Sequence, residues 1–120
     1  MSIVEGDKID MVLTDKEKTY VVLVIADHLD WKDDENKHLV LLQNKLRVYV
    51  HFLSSGQLEE SRPDLVGRPV TIRIAAKYTP DEEGLKLCHL FSKDVSDVGA
   101  SLELEVPASG TKLKFDPPSA

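Results

Sequence analysis

A chain of 120 residues with 42% hydrophobic and 30% charged content has the size and composition of one globular domain with a core of its own. Its net charge of -6 excludes nucleic acid and anionic membrane surfaces as natural partners, because both need a basic patch, and suits a solvated surface or a basic partner protein. The single cysteine, Cys88, excludes intramolecular disulfides and multi-cysteine metal sites. No basic segment followed by an apolar run opens the sequence, and its longest apolar run, Val21 to Ala26, is far shorter than the ~20 residues of a membrane helix. The expectation is a reduced, cytoplasmic protein.

The first predicted element is a strand in which Ile9, Met11 and Leu13 alternate with Asp10, Val12 and Thr14, the period of a strand with one buried face. A polar turn over Thr14 to Lys18 leads into a second strand, Thr19 to Ala26, and the pair reads as a hairpin. The second strand is apolar on both faces, which places it inside a sheet covered on both sides at least in part. After Asp27-His28-Leu29-Asp30-Trp31 the period changes. Leu39, Leu42, Leu46, Tyr49, Val50 and Leu53 recur at spacings of three and four, predicting a helix from about Asp33 to Ser54. Acids at its start suit the helix dipole, and Ser55-Gly56 stops it.

Gln57 to Arg68 reads as a surface connection. Val70, Ile72, Ile74, Ala76 and Tyr78 then alternate with polar or small residues in a third strand, bracketed by Pro69 and Pro80. Thr79-Pro80-Asp81-Glu82 predicts a helix start, with Thr79 as cap, Pro80 in the first turn and Glu82 closing the capping box. Leu87, Cys88, Phe91, Val95 and Val98 form the stripe of that helix, which Gly99 ends. A competing reading makes Leu85, Leu87, His89 and Phe91 an alternating strand; the start and stop signals favour the helix. Leu102, Leu104 and Val106 mark a last strand.

The predicted order is therefore ββαβαβ: an α+β, two-layer domain over residues 1–107, with a four-stranded mixed sheet and two helices on one face. Residues 108–120, rich in Ser, Gly, Lys and Pro, read as a C-terminal tail whose composition permits disorder. On the sheet face away from the helices, Asp10, Arg73, Lys77, Glu103 and Glu105 are expected. The second strand adds either Tyr20, Val22 and Val24 or Val21, Leu23 and Ile25. That apolar strip on a polar sheet predicts a homodimer; the alternative is that loops or the C-terminal tail cover it.

Chemistry concentrates at Asp27, His28, Asp30 and, one turn into the helix, His38. Two carboxylates and two imidazoles can make a Zn, Mn or Fe site, though the spacing matches no metal signature. An acid oriented against His28 can support acid–base catalysis. The plainer alternative is that these acids satisfy backbone N–H groups at the turn and helix start while Trp31 packs at the edge of the core. His51 and His89 are weaker candidates, and Cys88 sits on an apolar stripe where thiols are inert. No phosphate loop or nucleophile elbow is present, so no cofactor is expected.

The run Val24-Ile25-Ala26-Asp27-His28-Leu29-Asp30-Trp31, followed by His38-Leu39, Leu42-Gln43 and Ser55-Gly56-Gln57, resembles a family of small, uncharacterised bacterial proteins, a domain of unknown function. There an I-[AS]-D-H-L-D-W run precedes an H-L-x-x-L-Q helix. The resemblance covers roughly Ile9 to Gln57 and implies a bacterial, stand-alone cytoplasmic domain; it carries over no catalytic residue. Three functions stay open: a self-associating binding or assembly module, a small metal- or His-dependent enzyme at the Asp27–Trp31 turn, and a toxin-neutralising or regulatory partner protein.

Overall fold

A computed structural model describes residues 3, 8–32 and 34–116. Five strands form one mixed sheet: β1 (Met11–Thr14), β2 (Val21–Asp27), β3 (Val70–Ala76), β4 (Ala100–Val106) and β5 (Thr111–Phe115). They lie in sequence order across the sheet, with β2, β3 and β4 parallel and an antiparallel strand at each edge. Helix α1 (Glu35–Ser54) follows β2, and α3 (Glu82–Asp97) joins β3 to β4. The chain crosses the sheet in one direction throughout, so two crossovers of the usual right hand bring both long helices to the same face. Val21, Leu23 and Ile25, Ile72 and Ile74, Leu102 and Leu104 from that face share one buried cluster with Leu42, Leu46 and Tyr49 of α1 and Cys88, Phe91 and Val95 of α3. Among the described residues, no helix is long and apolar enough to cross a membrane.

The sheet has five strands where four were expected. The fifth falls in the stretch read as a tail, and residues 117–120 of that stretch lie outside the described residues. In β5, Leu113 and Phe115 alternate with Lys112 and Lys114, and most of the strand is exposed. It is held by its ladder with β4, from Leu102–Phe115 to Val106–Thr111, rather than by an apolar face of its own. A hydrophobic-period argument therefore has little to detect. The connection after α1 is also more ordered than expected. It holds a short helix, α2 (Gln57–Ser61), and a 3-10 turn at Pro63–Leu65, which bury Leu58 and Leu65 in the core. The element order is thus longer than the predicted ββαβαβ at both of these places.

Strand β1 faces the opposite way to the expected one. Met11 and Leu13 are exposed, whereas Asp10 is buried and Val12 packs against the core. An acid turns inward here because α1 brings it a cation: Lys45 Nζ lies 2.7 Å from Asp10 Oδ1, with both side chains sealed from water. Asp10 therefore leaves the outer face on which it was expected.

Helix α1 begins close to the expected position. Asp34 caps it, accepting from Lys37 N at 3.0 Å; Asp33, the expected start, lies outside the described residues. For α3 the cap is Asp81, which accepts from Gly84 N at 2.9 Å. Thr79, the expected cap, stands before the helix and is exposed. The carboxylate two residues on does the same hydrogen bonding, and Pro80 is left as the buried lead-in.

Candidate functional site

Alternation along β2 puts Asp27 on the same face as Val21, Leu23 and Ile25, at the carboxyl end of the strand. Its main chain is fixed by Lys77 N, which donates to Asp27 O at 2.9 Å. Its side chain meets His38, in the second turn of α1: Nε2 lies 2.7 Å from Oδ1 and 2.6 Å from Oδ2. Leu29 N also donates to Oδ1, at 3.2 Å. The carboxylate accepts, so His38 carries its proton on Nε2. Both side chains are only 1% exposed. Burial pushes the Asp27 carboxyl above its ordinary value, and the hydrogen bond and charge of His38 oppose that shift.

Trp31 closes the site. Its indole stacks on the His38 imidazole, with ring centroids 3.6 Å apart and planes 23° apart. The benzo edge of the indole lies against Gly84 in the first turn of α3, so close that a Cβ there would stand 2.7 Å from Cη2. The unique tryptophan thus bridges the two helices and seals the pair beneath it. His38 Nδ1 and Trp31 Nε1 are buried without a hydrogen-bond partner among the described residues; the indole N–H can only donate.

Of the four candidate residues, the structure brings together Asp27 and His38. His28, next in sequence to Asp27, points away from that pair and is exposed. Asp30 accepts from Lys32 N at 3.0 Å, a local turn bond. Among the described residues, no group of three or more His, Cys, Asp or Glu side chains is placed to hold a metal ion. Cys88 is buried nearby, and burial together with the charge of Asp27 pushes its thiol up to about 12. A thiol so far from ionising is no nucleophile at neutral pH. The Asp27–His38 contact has the chemistry of an oriented acid–base pair; both side chains are buried under Trp31 and the core, and on the side of the strand ends Asp27 borders a surface hollow with Ala26, His28 and Lys77.

A second buried polar group lies beside it, and the sequence reading missed it. Lys45 Nζ donates to Asp10 Oδ1 and, at 2.5 Å, to Lys8 O. Asp10 Oδ2 accepts from Ala26 N at 2.9 Å, so the carboxylate prolongs the β1–β2 ladder past its last backbone pair. The Tyr49 hydroxyl accepts from Asp10 N at 2.8 Å and donates to Val24 O. Every polar group of this network has a partner, and its effect is to pin the segment before β1 and α1 to the sheet. A signal was available: His38, Leu42, Lys45, Leu46 and Tyr49 recur at spacings of four, three, one and three, so Lys45 sits inside the buried stripe of α1.

The profile of a family of unknown function, DUF6572, matches residues 1–108. The chain belongs to that family. No curated protein and no solved structure matches it.

Proposed function

We propose that this member of the family is a non-enzymatic binding and assembly module that associates with a second copy of itself through the outer face of its sheet. The observation that carries the reading is an apolar strip on that face: Met11, Leu13 and Tyr20 are 43%, 41% and 47% exposed, and they rim Val22 and Val24 of β2, which are recessed at 6% and 8% exposure. Register sets Met11 opposite Val24 and Leu13 opposite Val22, so these side chains form one surface. Adjoining exposed apolar residues on an otherwise charged sheet are the mark of an interface. The burial of the Asp27–His38 pair supports the non-enzymatic part, because a catalytic group must touch its substrate. A bacterial, cytoplasmic setting goes with this reading, as the D-H-L-D-W resemblance implies.

Size-exclusion chromatography with light scattering tests it. A concentration-dependent dimer that Leu13→Glu converts to monomer is expected. A wild-type species of 13.4 kDa at every concentration up to the millimolar range refutes it.

A further inference from the structure

We infer that the two copies stack about a two-fold axis running across the strands at the level of Leu23, with Tyr20 of each copy inserted in a hollow of the other, an arrangement that rests on the self-association proposed above. The outward residues of β2, taken with the residue that leads into it, are Tyr20, Val22, Val24 and Ala26: large, medium, medium, small. A two-fold perpendicular to the strands reverses this order. Tyr20 then faces Ala26 of the partner subunit, and Val22 faces Val24 of the partner subunit. The same axis serves β1, because the ladder that pairs Leu13 with Val22 and Met11 with Val24 sets Leu13 against Met11 of the partner subunit. At the level of the axis itself, Leu23, Ile72 and Leu102 are in register and all three are buried in the core, so nothing large stands on the axis between the sheets.

Size complementarity supports the pairing. Ala26 and Ala75 are neighbours in register. With Asp27, His28, Ala76, Lys77, Pro107 and Ala108 they frame a mostly apolar hollow of about 370 Å³ that wraps the carboxyl ends of β2 and β3. Tyr20 is a large exposed aromatic at the other end of the same face, as a two-fold relation between knob and hole requires. His28 and Lys77 at the rim offer hydrogen-bond partners to the phenol oxygen. Charge is compatible too. Arg73 is already neutralised by Glu103 at 2.5 Å, and across the axis Arg73 faces Thr71 and Glu103 faces Ser101 of the partner subunit. On β5 the axis passes at Phe115, which is in register with Leu102, so Lys114 faces Asp116 of the partner subunit. Strands of four, seven, seven, seven and five residues, about 4.8 Å apart and rising about 3.3 Å per residue, give a face of roughly 475 Å² before side-chain relief is counted. That approaches the ~600 Å² per partner at the lower end of stable interfaces.

The test uses the full chain. Tyr20→Ala should weaken the dimer about 30-fold or more, as loss of a buried aromatic anchor does, while Tyr20→Phe keeps it within a few-fold. Tyr20→Cys combined with Ala26→Cys should give a covalent dimer with a short bismaleimide, and either single variant should give none. The two positions lie about 20 Å apart along one strand, too far for that linker within a copy. A wild-type monomer overturns the self-association and this arrangement with it. A dimer lost in Leu13→Glu but unchanged in Tyr20→Ala and not cross-linked in the double variant overturns the arrangement and leaves the self-association standing. A dimer that survives Leu13→Glu overturns the choice of face.

Discussion

Gly84→Ala isolates the contact on which the buried site depends. An alanine Cβ at this position would stand 2.7 Å from Trp31 Cη2 and 3.0 Å from Cζ2 and Cζ3, where carbon atoms prefer roughly 3.5–4.0 Å. The indole must therefore retreat by about 1 Å. It has no free direction, because its other face lies on the His38 ring at 3.6 Å and that ring is held by both oxygens of Asp27. Overpacking of this kind costs about 1–3 kcal/mol. Replacing a helical glycine returns at most about 1 kcal/mol, and less in a first turn. The expected net loss is about 1–2 kcal/mol, a fall of several degrees in Tm for a chain of this size. Urea unfolding followed by circular dichroism measures it. Trp31, the single tryptophan, reports the displacement directly in the fluorescence of the folded state. In a Trp31→Phe background the benzo edge is gone, and the same glycine substitution should turn neutral or stabilising, a coupling above about 0.5 kcal/mol. Gly84→Ala with unchanged Trp31 emission and equal or greater stability would refute the reasoning.

Lys45→Met leaves the Asp10 carboxylate buried without its cation and should cost about 3–5 kcal/mol, whereas the double variant with Asp10→Asn recovers much of that loss; denaturant midpoints of the four proteins decide the matter. Tyr49→Phe removes the hydroxyl between Asp10 N and Val24 O, and the stranded N–H should cost about 1–3 kcal/mol with no change in far-ultraviolet circular dichroism. Cys88 should resist iodoacetamide at pH 8 until the protein unfolds; alkylation at the rate of a free thiol contradicts its placement. Because its folded value is raised, the neutral thiol stabilises the fold fully below its unfolded value of 9.0, and that contribution is lost as pH rises toward about 12, at up to about 1.4 kcal/mol per pH unit. Tyr49, also raised by burial, acts in the same sense, so a urea midpoint that holds steady from pH 8 to pH 10.5 would count against both.

The amino-acid sequence determined those parts of this protein in which a local pattern and the tertiary environment demand the same thing. Strands β2, β3 and β4 and helices α1 and α3 were legible because their apolar periods are long, and because Gly56, Gly99, Pro69 and Pro80 mark where they end. The junction at Asp27–Trp31 was legible as the place where the period changes. What only the folded chain decided is how polar residues far apart in sequence meet. Asp10 turns inward because Lys45, thirty-five positions on, arrives through α1; by alternation alone it belongs outside. His38 rather than His28 meets Asp27, because one turn of helix brings an imidazole over the strand end while the neighbouring residue must point the other way. Strand β5 exists because β4 offers it an edge, and backbone pairing of that kind leaves almost no hydrophobic trace. The thiol of Cys88 was expected on a buried stripe and the ring of Trp31 at the edge of the core; that they flank one buried carboxylate–imidazole pair follows from the sequential strand order, which brings α1 and α3 side by side.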